Sequence, residues 1–426
     1  LTRLVRIDFH SHLLKDVTMN EAGSLKQPKV SSSVLYRPIL MVSLPFAFLG
    51  FTLPIYSKGL GASALEIGGL YSVFTITLLV GRPLVGRALD LYGRRRFFIA
   101  AQACYSVSMI FFAFAANLVG LYLARFAQGI ASSLMWITVY TIISDLSGPG
   151  ERGQAVGRIN EADARGEVIG VFIGYAIFRL VASQSSEANG WKVTYLVFAI
   201  LTVYAVWLAW KKVPETRQST QPARVPRSLT RSLFNLLVVV FITGAATALI
   251  SPIYLIFLQD RFTTDVGVLA WSFFPAGIVA SFLPSHLGKL SDRFGRAPMM
   301  AGGLVGAGLL SLLLPGLPSL LWVVLLYTIS AVGWAMAGPA EAAMVADLTG
   351  ADTRGAGYGL YEFAASLGAT LGPLVGGWVY DSYGKAVPFY LDALLLGIGA
   401  VWVLLFLKRP ARSAPLNGDF SGNTKI

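Results

Sequence analysis

The chain has 426 residues, of which 55% are hydrophobic and only 13% charged, with a formal net charge of +12. A soluble globular domain carries roughly 25% charged residues, so this chain has too little polar surface to face water alone. An ordinary cytosolic enzyme, a secreted disulfide scaffold and a disordered protein are excluded, which leaves a polytopic membrane protein. Residues 1–36 open on Leu1, with Met19 as an alternative start. They are polar and mixed, with no apolar run leading to a small-residue cleavage site, and are expected to form a cytoplasmic tail rather than a signal peptide. A membrane helix needs about 20 mostly apolar residues. Runs of that kind follow at about 38–58, 65–85, 96–116, 119–143, 155–182, 192–211, 232–258, 266–288, 297–317, 319–345, 356–380 and 386–407. They are helix-length, unlike the ~10-residue alternating segments of an outer-membrane barrel. Between the sixth and seventh lies 211–231, KKVPETRQSTQPARVPRSLTR, whose Pro, Ser, Thr and Arg content marks a linker. The expected organisation is a tail at 1–36, a six-helix bundle at 37–212, a cytoplasmic linker at 213–231, a second six-helix bundle at 232–408 and a tail at 409–426.

Lys and Arg set the orientation, because cationic loops stay on the cytoplasmic side. With the N-terminus inside, the outer flanks hold five cations, Lys58, Arg179, Lys192, Arg261 and Lys385, against 24 on the inner flanks from residue 20 onward. Both termini are therefore expected in the cytoplasm, and the chain in the inner (plasma) membrane. The positive charge is largely topological and needs no nucleic acid to explain it. Cys104 is the single cysteine, and His10, His12 and His286 are the only histidines. One thiol allows no intrachain disulfide or multi-cysteine cluster, and no H-E-x-x-H, Walker A or CxxC pattern occurs. No metal or other cofactor is expected, and no enzyme activity.

The two halves repeat at a fixed offset. GRALDLYGRR at 86–95 matches GKLSDRFGRA at 288–297, and SDLSGPGERGQAVG at 144–157 matches ADLTGADTRGAGYG at 346–359, both at an offset of 202. Gly86 thus pairs with Gly288, Asp90 with Asp292, Gly93 with Gly295, Arg94 with Arg296 and Asp145 with Asp347. An even number of spans per repeat makes the copies parallel about an axis along the membrane normal, a recurring plan of secondary transporters with the site near midplane between the halves.

From about residue 36 to 408 the chain resembles a major facilitator superfamily transporter. GRALDLYGRR is similar to the family's signature loop between spans two and three, G-x-x-x-D-x-x-G-R-K/R, and GKLSDRFGRA is its echo between spans eight and nine. Arg125, Gln128 and Gly129 (RFAQG) resemble the span-four motif of the proton-coupled branches, and VPETR at 213–217 the motif closing span six. In the signature, Gly86 and Gly93 permit close approach and a tight turn, and Asp90 is an anion placed where a helix N-terminus can receive it. The resemblance implies an inner gate. Asp90 would face the start of span eleven near Gly355–Gly359, and Asp292 the start of span five near Gly153–Gly157. Arg94 would pair with Asp145, and Arg296 with Asp347. The other reading is that these are solvated inner-loop charges, which suits Arg87 and Arg95 better than Asp90 and Asp292.

Span five, VGRINEADARGEVIGVFIGY, carries Arg158, Glu161, Asp163, Arg165 and Glu167. Ionisable groups within the bilayer cost ~2.5–3.5 kcal/mol each on insertion scales, so they should be paired or face water. Arg158, Glu161 and Arg165 form one stripe and can pair along it; Asn160, Asp163 and Glu167 form another. Gly166, Gly170 and Gly174 give a face suited to close helix packing. At 1.5 Å per residue, Glu167 lies about 20 Å from the inner end of the span, near the level of Arg125 on span four. That level predicts an Arg125–Glu167 pair, with Glu167 as the leading proton-coupling carboxylate and Asp163 and Glu161 as further candidates; a permanent structural ion pair is the competing explanation.

Arg125, Gly129, Ser132, Trp136 and Tyr140 share a face of span four. The family's cavity is lined by spans one, four, seven and ten, which here add Phe46 and Phe51, Tyr254, and Trp334 with Glu341. Aromatic walls with few charges suit an amphipathic organic substrate, although aromatics within spans also serve as packing or interfacial residues. Drug–proton antiporters carry GP-x-x-GG in span five; this chain has GEVIGVFIGY there and LGPLVGG at 371–377 in span eleven instead. Glu362 and Asp392 are secondary ionisable candidates. The expectation is a monomeric all-α membrane protein of the major facilitator fold. It would act as a proton-coupled transporter that exports a hydrophobic or amphipathic small molecule by alternating access. Uptake of a metabolite or organic anion, with Arg125 as anion anchor, is the runner-up, and a non-transporting sensor or lipid-handling scaffold is the alternative of another class.

Overall fold

A computed structural model describes residues 32–146, 152–216, 230–283, 286–287, 293–349 and 354–407. After a short 3-10 turn (Ser32–Leu35), twelve α-helices follow: α1 (Tyr36–Gly59), α2 (Ala64–Tyr92), α3 (Arg94–Phe114), α4 (Leu118–Leu146), α5 (Arg152–Gln184), α6 (Glu187–Lys212), α7 (Arg231–Arg261), α8 (Val266–Phe282), α9 (Arg296–Leu313), α10 (Leu320–Leu348), α11 (Arg354–Tyr383) and α12 (Val387–Phe406). No strand occurs among the described residues. Lipid offers no partner for backbone N–H and C=O groups, so a chain this apolar satisfies them within helices. The protein is an all-α membrane protein of twelve transmembrane helices in two parallel six-helix repeats. Ten stretches are long and apolar enough to span on composition alone. The apolar part of α8 is short, Gly267–Val279, and α11 is diluted by the glycines that it packs against α7.

Several helices overrun the apolar segments, whereas α8 stops at Phe282, short of the expected 288. The second span was expected to end near residue 85, yet α2 runs to Tyr92. At 1.5 Å per residue its 29 residues reach beyond a ~30 Å hydrocarbon core. The signature between spans two and three is therefore mostly helix, not loop. Its turn is the single residue Gly93, at φ 91, with α3 starting at Arg94. Gly295, at φ 99, makes the same break before α9. Both lie in the left-handed region where a side chain is strained.

The described residues fall into two units, those within 32–52 and 80–216 and those within 53–79 and 230–407. The core of the first gathers Ile39, Phe98, Tyr105, Met135, Ile142 and Ile159, all buried. At its α3–α4 end, Trp191 donates from Nε1 to the Phe112 carbonyl at 2.6 Å, and Tyr195 packs between the rings of Trp191 and Phe112 at 4.4 and 5.5 Å. The core of the second gathers Leu236, Val239, Met300, Leu304, Leu396 and Val403.

Among the glycine-lined helix crossings, two lie at equivalent places in the two units. On α5, a Cβ at Gly166 or Gly170 would meet the carbonyl of Leu40 or Leu44 of α1, and one at Gly174 would meet the Phe48 ring. On α11, a Cβ at Gly368, Gly372 or Gly376 would meet the carbonyl of Phe241, Ala245 or Leu249 of α7. These glycines are related by the offset that relates the signature blocks. Gly170→Leu is expected to destabilise the purified protein by about 1–3 kcal/mol through overpacking. Gly306→Leu, where a Cβ meets nothing within 4 Å, is expected to leave the unfolding midpoint unchanged.

Candidate functional site

In the first unit, five helices each bring polar side chains toward one place. Ser43 of α1 donates to Asp163 Oδ1 of α5 at 2.5 Å. Tyr105 of α3 is buried, close to Ser132 of α4 and within electrostatic range of Asp163 and of Arg82 on α2. Glu167 lies one turn beyond Asp163 on α5, and the two carboxylates act on each other electrostatically. Phe46 lies over Tyr105 with ring centroids 5.1 Å apart. The α5–α1 crossing makes this possible, because glycines at 166 and 170 let Asp163 come within reach of Ser43.

Arg125 does not join this group through Glu167. Its Nη1 donates to Gln128 Oε1 at 2.8 Å, both residues being buried, and among the described residues no ion pair joins Arg125 to Glu167. Glu161 pairs with Arg165 along α5, and both side chains are exposed, a placement in which an ion pair contributes little. Arg165 also donates to the Tyr36 hydroxyl at 3.0 Å. Of the aromatic candidates, Trp136 and Tyr140 stack at 5.9 Å, with Tyr140 exposed, and Phe51 is half-buried. In the second unit, Tyr254 is buried and stacks on Tyr327 at 4.6 Å, with Phe273 edge-on to both. Trp334 packs on the core. Glu341 is buried at 7% exposure and accepts from Thr243 Oγ1 at 3.2 Å.

At the α2–α3 end of the first unit, Arg94 Nε lies 3.3 Å from Asp145 Oδ2. Thr216 Oγ1 donates to the same oxygen at 2.9 Å. The Glu215 carboxylate accepts the backbone N–H of Arg94 at 2.8 Å and of Arg95 at 3.2 Å, an anion on the positive end of α3. A Cβ at Gly93 would lie 2.6 Å from that carboxylate. At the corresponding end of the second unit, Arg296 pairs with Asp347. Gly86 is helical, with nothing within 4 Å of a Cβ. The Asp90 side chain, Gly288 and Asp292 lie outside the described residues.

The opposite end of the second unit carries a denser cluster. Asp260, near the end of α7, pairs with Lys58 at the end of α1 and with Lys385 at 2.8 Å, and accepts from the Tyr380 hydroxyl at 2.8 Å. Asp381 of α11 accepts the backbone N–H of Ala64 at 3.2 Å and of Leu65 at 2.8 Å, capping α2. Below the cap, Ser72 donates to the Thr370 carbonyl at 2.7 Å, and Gly68 and Gly377 leave room for the backbones of Pro373 and Ala64.

The sequence profile of the Major Facilitator Superfamily matches residues 39–235 and again 236–425. The chain belongs to the Major Facilitator Superfamily. Two matches in tandem agree with the internal repeat. Among superfamily members, Multidrug resistance protein 1 of Bacillus subtilis is 24% identical over 88% of this chain and 96% of its own length. Quinolone resistance protein NorA of Staphylococcus aureus is 21% identical over 87% of this chain and 95% of its own. Among solved structures, a bacterial homologue of the human lysosomal transporter Spinster superposes with a TM-score of 0.71 at 15% identity, covering 88% of this chain and 95% of that one. A human organic anion transporter (TETRAN) gives 0.65 at 18% identity, covering 88% and 100%. These superpositions establish the superfamily fold.

Sequence reasoning did not single out Ser43, Arg82 or Tyr105 in the first unit, nor Glu215, Asp260 or Asp381 at the helix ends. Arg82 falls among the 24 inner-flank charges, and its position within α2, four residues before Gly86, is the signal that sets it apart. Removing either remote cap, Glu215→Ala or Asp381→Ala, is expected to lower stability by about 1 kcal/mol. Chemical denaturation in detergent measures it, and an unchanged midpoint would show that the caps carry no load.

Proposed function

We propose that this superfamily member is a proton-coupled secondary active transporter that exports a hydrophobic or amphipathic small molecule by alternating access. It acts as a monomer in the inner (plasma) membrane with both termini cytoplasmic. The observation that carries the reading is the Asp163–Glu167 pair on α5. Two carboxylates one turn apart repel when both are ionised, and Asp163 is met by the neutral hydroxyl of Ser43. A proton on one of them removes the repulsion. Its arrival and departure change the charge at the α5–α1 crossing, where close packing ties side-chain state to helix position. The stacked Trp136–Tyr140 pair of α4 offers an aromatic wall for an apolar substrate. Relatives named for multidrug and quinolone resistance support the direction of export.

The second reading, uptake of an organic anion, rests on Arg125, a buried guanidinium held by Gln128. In it, Arg125 anchors the substrate's negative group. A sensor or scaffold on the same fold would bind ligand and move none. The Arg94–Asp145 and Arg296–Asp347 pairs are proposed as parts of an inner gate together with Asp90 and Asp292. Removing the charge at Asp90 is expected to lower transport without loss of expression; full transport in Asp90→Asn removes the gate.

Purified protein in sealed vesicles decides among these readings. Outward-directed flux of an amphipathic dye, accelerated by an opposing proton gradient and accompanied by proton movement, is the expected result. Flux indifferent to the gradient would remove the coupling, and ligand binding with no flux would favour the sensor. In Glu167→Gln the gradient-driven part of the flux is expected to vanish while substrate binding is retained. Undiminished proton-driven flux in that variant excludes Glu167 as the coupling group.

A further inference from the structure

The second repeat holds a buried carboxylate of its own. Glu341 lies within α10 and has no Lys or Arg as an ion-pair partner among the described residues. Its neighbours are hydroxyls, Thr243 of α7 at 3.2 Å and, close by, Tyr361 of α11. The helices packed on α10 are α7, α8, α9 and α11. From α11 come Tyr361 and, electrostatically linked to it, Tyr358 and Glu362. α8 has no titratable residue. The charged residue of α9, Arg296, is engaged by Asp347, and on α7 Tyr254 stacks on Tyr327 while Asp260 is held by two lysines.

The hydroxyl of Thr243 has two acceptors and one hydrogen. Its Oγ1 lies 3.1 Å from the Val240 carbonyl and 3.2 Å from Glu341 Oε2. The carbonyl only accepts. When Glu341 carries a proton, its O–H donates to Thr243 and Thr243 donates to Val240, with the Tyr361 hydroxyl nearby. When Glu341 is ionised, Thr243 turns its hydrogen onto the carboxylate. One hydroxyl rotation thus satisfies both states, which an apolar neighbour would not allow. Two hydroxyls are too few for a hard cation that takes six or more oxygen ligands, and at 7% exposure the carboxylate has no open face for an organic cation.

The first repeat lacks this arrangement. Positions equivalent to Thr243, Glu341 and Tyr361 are Met41, Val139 and Ile159, all in or against the first hydrophobic core. Conversely, Ser43, Tyr105, Asp163 and Glu167 correspond to Ala245, Ala307, Ala365 and Ala369. The Asp163–Glu167 and Glu341 centres therefore occupy non-equivalent places in the two repeats.

We propose that Glu341, switched by Thr243 and Tyr361, is a second proton-binding site, lodged in the C-terminal repeat and separate from the Asp163–Glu167 centre. Its part in transport rests on the proton-coupled reading above; its proton binding does not. Infrared difference spectra of the full-length purified protein between acid and alkaline pH report protonated carboxyl groups directly. Glu341→Gln is expected to remove one carboxyl component, which Glu167→Gln retains, and Tyr361→Phe to shift the pH midpoint of that component. In vesicles, Glu341→Gln is expected to lose one proton per substrate moved. Identical carboxyl spectra in wild type and Glu341→Gln would overturn the proposal, as would an unmoved midpoint in Tyr361→Phe if Glu341→Gln fails to fold. If wild-type vesicles move no protons, the transport reading fails while the spectra still decide the site.

Discussion

The absence of a side chain at two helix crossings governs the rest of this structure. Where α5 meets α1 and α11 meets α7, the partner's carbonyl oxygens occupy the space that a Cβ would need. Without a hydrophobic driving force between helices in lipid, such close contact supplies much of the attraction. It also determines what lies beside it. Ser43 reaches Asp163 because Gly166 and Gly170, next along α5, let it close on α1, and Thr243 and Tyr361 come from the two helices of the other crossing. The polar centres are by-products of close approach, placed where backbone meets backbone.

The two repeats share a frame and divide the chemistry. Glycine faces, the left-handed turns at Gly93 and Gly295, and the arginine–aspartate pairs occur twice. The carboxylate centres do not: Ser43, Tyr105, Asp163 and Glu167 correspond to alanine in the other repeat, and Thr243, Glu341 and Tyr361 to core hydrophobes. Alanine in place of Ser43 or Asp163 keeps the crossing tight while removing the charge. A frame so dependent on small residues tolerates that exchange with little change in packing volume.

Much of the frame was legible in the sequence. Span number follows from the length of apolar runs against bilayer thickness, and the repeat from two blocks sharing one offset. The chemistry was harder to read because it depends on azimuth. Depth arithmetic brought Arg125 and Glu167 to one level, but level is one coordinate of three, and α4 turns Arg125 toward Gln128. Asp163 was visible as a charge within a span; its partner Ser43 was not, since a serine in an apolar run carries no signal of the helix it will face. Glu341 was read as a cavity wall because its span lines the family's cavity, whereas its burial between two hydroxyls comes from the packing of α7, α10 and α11. The remote caps at Glu215 and Asp381 were out of reach for the same reason. A helix end advertises its need for an anion, and nothing local says which distant residue answers it.

Lys58 and Asp260 are counterparts under the repeat, yet they bond to each other. Two identical halves would set lysine against lysine or aspartate against aspartate at that position, and like charges there would repel. The bridge therefore depends on the two halves differing at this position. Opposite signs at this one pair of equivalent positions let the bridge form where strict identity of the halves would forbid it.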